Sequence, residues 1–260
     1  MTGAASVSAT GQPPRLAIDG AIATITLRRP EVANRLALSD LALLREQIGE
    51  VDADARVRVL RLTGEGRHFC SGFDLAEVGA QEAGGRFEAL ADTIERARPI
   101  TIARVHGGVY GGATDLALAC DFRLGGPGAE MSVPAARIGL HFYRGGLERA
   151  VTRLGLATAK RLMLAADKLD AQAMRDCGWL DALLPSLDTL DAEVSGLSAR
   201  LAGMAPLALL GMKKHLDRIA RGALDAEALA RDIAAADASE DLREGARAIR
   251  EKRAPIFHGR

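Results

Sequence analysis

Aromatic residues make up only 3% of this 260-residue chain. A surface that stacks nucleic-acid bases is therefore not expected. Net charge is missing too: 34 Lys and Arg balance 34 Asp and Glu, so no global field draws a polyanion. There are three cysteines, Cys70, Cys120 and Cys177, odd in number and far apart. That excludes a disulfide framework and a Cys-based metal pattern, and it fits a reducing, cytoplasmic setting. No run of 18 apolar residues occurs, so no membrane-spanning helix is expected. The start of the chain lacks a basic segment followed by an apolar one; residues 1–14 read as a loose tail rather than a signal peptide.

What is present favours a folded core. The apolar share is 48%, enough to fill one. Asp19-Gly20 between apolar runs predicts a hairpin. Ser39 or Asp40 is placed to cap a helix carrying Leu41, Leu44, Ile48 and Val51 on one face. Strands are expected at Val57–Thr63 and Ile100–Val105, and a helix over Phe87–Ala97. Gly64-Glu65-Gly66 opens like a dinucleotide fingerprint, but Phe69 holds the third glycine position. From Ala157 onward helical patterns dominate. The reading is an α/β core over residues 15–195 and a helical region over 196–260.

The central stretch is Val105-His106-Gly107-Gly108-Val109-Tyr110-Gly111-Gly112, continued by Ala113 to Asp121. A strand runs into a glycine-rich turn and then a helix. Such a turn leaves backbone N–H groups unpaired and aimed at one point, which suits an oxygen that gains charge during a reaction. Asp115 lies in the first turn of that helix.

Four stretches in this order resemble the crotonase (enoyl-CoA hydratase/isomerase) superfamily. They are Leu27-Arg28-Arg29-Pro30 with Asn34, Phe69 to Leu75, Val105 to Asp121, and Glu244-Gly245 with Glu251 to Phe257. The resemblance implies a spiral of ββα units with a C-terminal helical oligomerisation region, assembled as a homotrimer or homohexamer. It implies an acyl-CoA or enoyl-CoA substrate, with coenzyme A entering only as part of that substrate, and no metal, redox cofactor, nucleic acid or membrane. The backbone N–H groups of Phe73 and Gly112 would form the oxyanion hole, Gly112 for close approach and unusual backbone angles. Arg28, Arg67, Ser71, Lys252 and Phe257 would meet coenzyme A, the last two in a neighbour's site. Lys213 or Lys214 are further candidates for its phosphates.

The resemblance also exposes departures. The family's hydratases use two glutamates. Here the first position holds Asp115 and the second Ala135. Family isomerases and dehalogenases place a carboxylate where Tyr143 stands, and family decarboxylases carry a tyrosine near Phe142. Asp115, Tyr143 and His141 are thus the candidate catalytic side chains. The expected function is an enoyl-CoA hydratase/isomerase-type lyase. The alternatives are a thioester isomerase or decarboxylase using the Phe142–Tyr143 loop, and an acyl-CoA-binding homologue without hydratase chemistry. His68, His106, His215 and His258 read as structural or exposed, Cys70 as a small buried residue, and Glu77–Glu95 as pocket wall.

Overall fold

A computed structural model describes residues 11–73 and 83–260. Strands β1 (Gln12–Asp19) and β2 (Ile22–Arg28) form the expected hairpin, but Asp19 pairs with Ile22, so the two turn residues are Gly20 and Ala21 rather than Asp19 and Gly20. The first strand thus begins inside the stretch read as a tail. Helix α1 (Leu38–Ala53) follows. Its N-cap is Ala37, not Ser39 or Asp40; Asp40 sits three residues in and accepts the Ala37 amide at 2.9 Å. This is the carboxylate half of a capping box, and the Asp40 charge is matched by Arg29 at 2.8 Å.

Strand β3 (Val59–Gly64), helix α2 (Ala83–Arg96) and strand β4 (Ile100–Val105) come next. Then come β5 (Gly108–Tyr110), α3 (Gly112–Leu118), β6 (Phe122–Gly125) and β7 (Glu130–Ser132). Helix α4 (Arg144–Lys160) is interrupted at Gly155. Strand β8 (Leu169–Asp170), helix α5 (Ala171–Asp176) and strand β9 (Ala182–Leu183) close the core. The remainder is helical: α6 (Leu187–Ala202), α7 (Pro206–Ala220), α8 (Ala226–Ala238) and α9 (Glu240–Glu251). Helix α6 runs across the 195/196 line between the two expected regions. No single described helix is long and apolar enough to cross a membrane.

Two sheets result, ordered β1-β2-β3-β4-β6-β9 and β5-β7-β8. Beyond the first hairpin the larger sheet is parallel. β4 lies between β3 and β6 and its residues are nearly all buried, which suits its mainly apolar sequence; Thr101 and Arg104 are the polar exceptions, bonded to Asp121 and Asp191. Loops leaving the C-terminal ends of β3 and β4 therefore emerge side by side. They are the two glycine-rich loops singled out in the sequence.

Helix α7 is fastened to this core by a buried lysine. Lys213 donates to Pro99 O and to an Asp121 carboxylate oxygen, both at 2.7 Å, while Lys214 pairs with Asp232. Neither is a free cation for a phosphate. Asp217, one turn on, is pushed up to about 6 by burial and by the nearby Asp121 charge. A carboxyl group whose folded pKa exceeds its unfolded one stabilises the fold when protonated. That contribution is present below about pH 4 and is lost as pH rises through about 6. Asp217→Asn is expected to match wild type at about pH 3.5 and to exceed it at about pH 7 by on the order of 1 kcal/mol, partial exposure having reduced the full linkage value. Urea unfolding at the two pH values checks this; equal differences at both would contradict it.

Candidate active site

The two loops are stitched together by backbone. Cys70 bridges Val109, and Leu36 bridges Phe73. Tyr110 N donates to Cys70 O at 3.0 Å, and Phe69 N to Gly108 O at 3.1 Å. Gly72 lies at the contact with φ +89°; a Cβ there would stand 2.7 Å from Tyr110 O and 3.2 Å from Gly112 N. Only glycine permits this backbone and this approach. The second loop turns at Gly111 (φ 56°), so the unusual angle expected of Gly112 belongs to its neighbour. Gly112 is needed for closeness: a Cβ on it would stand 2.7 Å from the Phe87 ring. Among the described residues, neither the Phe73 nor the Gly112 amide has a backbone acceptor. Helix α3 spans only two turns, so any pull on an oxygen here comes from individual N–H groups rather than a long helix dipole.

Asp115 is 2% exposed and held by two side chains. Arg149 grips it with two parallel bonds, Nε to Oδ1 at 2.7 Å and Nη2 to Oδ2 at 2.6 Å. The Tyr143 hydroxyl donates to Oδ2 at 2.7 Å. Arg149 itself is 0% exposed and also donates to Asp92 at 2.7 Å and Glu95 at 3.2 Å. Its pKa is raised above the ordinary arginine value: burial opposes its charge, but the Asp115 bonds and the other carboxylates outweigh that. Burial, then the adjacent Asp115 charge, holds the Tyr143 phenol well above its usual range. Tyr143 is therefore a neutral phenol at physiological pH. An ionised carboxylate offers about four acceptor positions. Arg149 takes one on each Asp115 oxygen and Tyr143 a second on Oδ2, which leaves one open on Oδ1.

The sequence reading missed Arg149. Its only trace there is position: Arg149 falls on the buried stripe of α4 with Gly145, Gly146 and Ala150. Its partners Asp92, Glu95 and Asp115 lie 34 to 57 residues away in sequence, beyond any local pattern. His141 is not part of this cluster. It is exposed, with Nδ1 2.7 Å from the carbonyl of its neighbour Phe142. Ala135 is buried and brings no charge.

Other candidates find local partners. His106 lies between Arg104 (2.9 Å) and Gly66 O (3.0 Å), and His68 accepts the Gly108 amide at 3.0 Å. Burial pushes the Cys70 thiol up to about 12, so it is no nucleophile at neutral pH. Arg28 is held by Gln12 Oε1 at 2.6 Å and Pro13 O at 3.1 Å. Arg67 is exposed, and Ser71 Oγ donates to Val32 O at 3.3 Å. Lys252 ends α9 in the left-handed region, exposed. Phe257 O accepts from Arg58 at 2.9 Å. Arg58 precedes β3 and Arg67 follows it, so these positions are separated by a strand of about 20 Å. Within one chain, Phe257 and Arg67 lie at opposite ends of the sheet. Of the Glu77–Glu95 segment, residues 77–82 lie outside the described residues; the rest belongs to α2.

The sequence model of the enoyl-CoA hydratase/isomerase family matches residues 17–260. The chain belongs to that family. It is 31% identical over 253 residues to the 2,3-dehydroadipyl-CoA hydratase of Escherichia coli K12, covering 91% of this chain and 94% of that one. It is 28% identical over 259 residues to the peroxisomal Delta(3,5)-Delta(2,4)-dienoyl-CoA isomerase of Arabidopsis thaliana, covering 92% and 93%. The crystal structure of an enoyl-CoA hydratase from Bacillus anthracis superimposes with a TM-score of 0.89 at 25% identity, covering 96% of this chain and 100% of that one. As a member of the enoyl-CoA hydratase/isomerase family, the protein is an enzyme that processes acyl-CoA thioesters. Among its relatives are proteins named for hydration and proteins named for isomerisation.

Proposed function

We propose that the protein moves a carbon–carbon double bond in an acyl-CoA thioester, with Asp115 as the single proton carrier. The amides of Phe73 and Gly112 serve as the oxyanion hole for the thioester enolate. The supporting observation is the state of Asp115: one buried carboxylate beside the glycine turn, with one acceptor position open. Double-bond migration takes one proton from one carbon and returns it to another, so a single base suffices. Hydration adds the elements of water and needs help for both hydroxide and proton. The second carboxylate position is Ala135, which has nothing to offer. Tyr143 is the fixed donor that aims Asp115. As a phenol beside an anion it is a poor proton source, because its loss would place two negative charges together. His141 has no role in this scheme.

Arg67 and Ser71 meet coenzyme A from the same chain, and Lys252 and Phe257 from a neighbouring one, in a homotrimer or homohexamer. The separation of the two groups supports this. So do the exposed apolar residues of the C-terminal helices, Met212 (59%), Leu216 (65%) and Ile249 (79%).

The test is a pair of assays with opposite signs. A 3-enoyl-CoA substrate is expected to gain the absorbance of the conjugated 2-enoyl thioester. A 2-enoyl-CoA substrate is expected to keep it. Loss of absorbance from the 2-enoyl thioester would mean hydration and overturn the proposal. Tight binding with no change in either would mean a non-catalytic homologue.

A further inference from the structure

The chain contains six Phe, two Tyr and one Trp. Four of these rings, from three separate segments, form one continuous ladder at the candidate active site. Phe73 meets Phe87 edge-on at 6.4 Å between centroids, Phe87 meets Tyr143 at 6.2 Å, and Tyr143 stacks on Phe142 at 4.6 Å. Elsewhere the core is built mainly from Leu, Ile, Val and Ala. Phe87 is 3% exposed, as a core residue would be. Phe73, Phe142 and Tyr143 are not buried; each keeps part of its surface open. Aliphatic packing would have filled this place equally well, so the ring character itself calls for an explanation.

The ladder begins at the oxyanion donors. Phe73 supplies one proposed amide, and the Phe87 ring lies so close to Gly112 that no Cβ fits between them. A carbonyl oxygen held by these amides places the acyl α- and β-carbons two and three bonds from it, beside the rings. From the other side, the α4 backbone supports the stack: a Cβ on Gly146 would enter the Phe142 and Tyr143 rings, at 2.3 and 2.9 Å. The ladder therefore meets the first few atoms of the acyl group rather than a distant tail. Ala135, on the loop leading into Phe142 and Tyr143, adds a methyl group in place of a carboxylate.

We infer that the acyl group taken by this site carries an aromatic ring, or an equally flat conjugated group, within a few atoms of the thioester carbonyl. The inference rests on the enolate reading above and names its substrate class. Aromatic pairs gain from offset-stacked or edge-on geometry beyond the area they bury. A puckered saturated ring of the same carbon count buries at least as much apolar surface and gains none of this.

The experiment is calorimetric titration of the protein with phenylacetyl-CoA, cyclohexylacetyl-CoA and free coenzyme A. Phenylacetyl-CoA is expected to bind about three- to tenfold more tightly than cyclohexylacetyl-CoA, the effect of one or two ring pairs. Phe142→Leu is expected to bring that ratio toward one, and Phe142→Trp to preserve it. If both thioesters bind more tightly than free coenzyme A but the saturated ring equals or exceeds the aromatic one, the inference fails and the enolate reading stands. If neither thioester improves on free coenzyme A, both fail. The wild-type ratio decides the matter even where a variant folds poorly.

Discussion

Arg149→Met is expected to cost about 3–5 kcal/mol of folding stability, a fall of about 10 °C in Tm for a chain of this size. The guanidinium is 0% exposed and donates to three carboxylates, those of Asp115, Asp92 and Glu95. Glu95 has further cations in Arg153 and Arg221, and Asp92 has Arg96 at 2.5 Å. Asp115 has no second cation among the described residues, only the Tyr143 hydroxyl. Methionine fills most of the volume, so the cost is chiefly an unpaired buried charge rather than a cavity. That distinction is testable. Adding Asp115→Asn to Arg149→Met removes the stranded charge and should restore much of the loss. Arg149→Lys should restore only part, because an ammonium group cannot make the two parallel bonds. Urea unfolding of the four proteins measures all of this. A single Arg149→Met variant within 1 kcal/mol of wild type would show that the arginine is dispensable to the fold.

Asp115→Asn is expected to lower the rate of double-bond migration by roughly 100- to 10,000-fold, the usual contribution of a positioned acid–base group. KM should change little, since Asp115 contacts no part of coenzyme A in the proposed arrangement. The amide has nearly the shape of the carboxylate, and Arg149 keeps Asp92 and Glu95, so the fold should persist. Tyr143→Phe separates the candidate roles. If Tyr143 only aims Asp115, losing its hydroxyl should cost about tenfold or less, the worth of one hydrogen bond to a charged group. If Tyr143 carries the proton or acts directly on the acyl group, its loss should rival that of Asp115→Asn. Rates with a 3-enoyl-CoA substrate for the two variants, side by side, decide between these.

Local chemistry made much of this protein readable in its sequence. The hairpin was legible because a glycine between two apolar runs marks a tight chain reversal, although the turn residues are Gly20 and Ala21 rather than Asp19 and Gly20, and β4 was legible because Ile100, Ile102, Ala103 and Val105 give it the apolar character of a strand covered on both faces. The glycine loops were legible for a similar reason: glycine marks backbone angles and close approaches that other residues cannot take. The C-terminal helices announced themselves by their period, and the structure adds the caps Asp225 and Ser239 on α8 and α9. The α1 cap was misplaced by a few residues, because a serine or aspartate inside the first turn resembles one just before it.

What only the tertiary structure decided are the long-range pairings. Asp115 was legible as a carboxylate beside a glycine turn, but not as a carboxylate already bound. Arg149 reaches it from a helix 34 residues later, and Asp92 and Glu95 approach from a helix that precedes both. Charge pairing across that distance leaves no spacing rule, since Coulomb attraction depends on where the folded elements lie and not on how far apart they are in the chain. The aromatic ladder is of the same kind: four rings from three segments meet because α2, the first glycine loop and the start of α4 converge beside Gly112. So too is the separation of Phe257 from Arg67, which follows from the tail docking on Arg58 at the far end of β3. Composition and local pattern determined the elements and the glycine-rich loops. Packing determined which side chains face one another, and hence which of them has a proton position left to use.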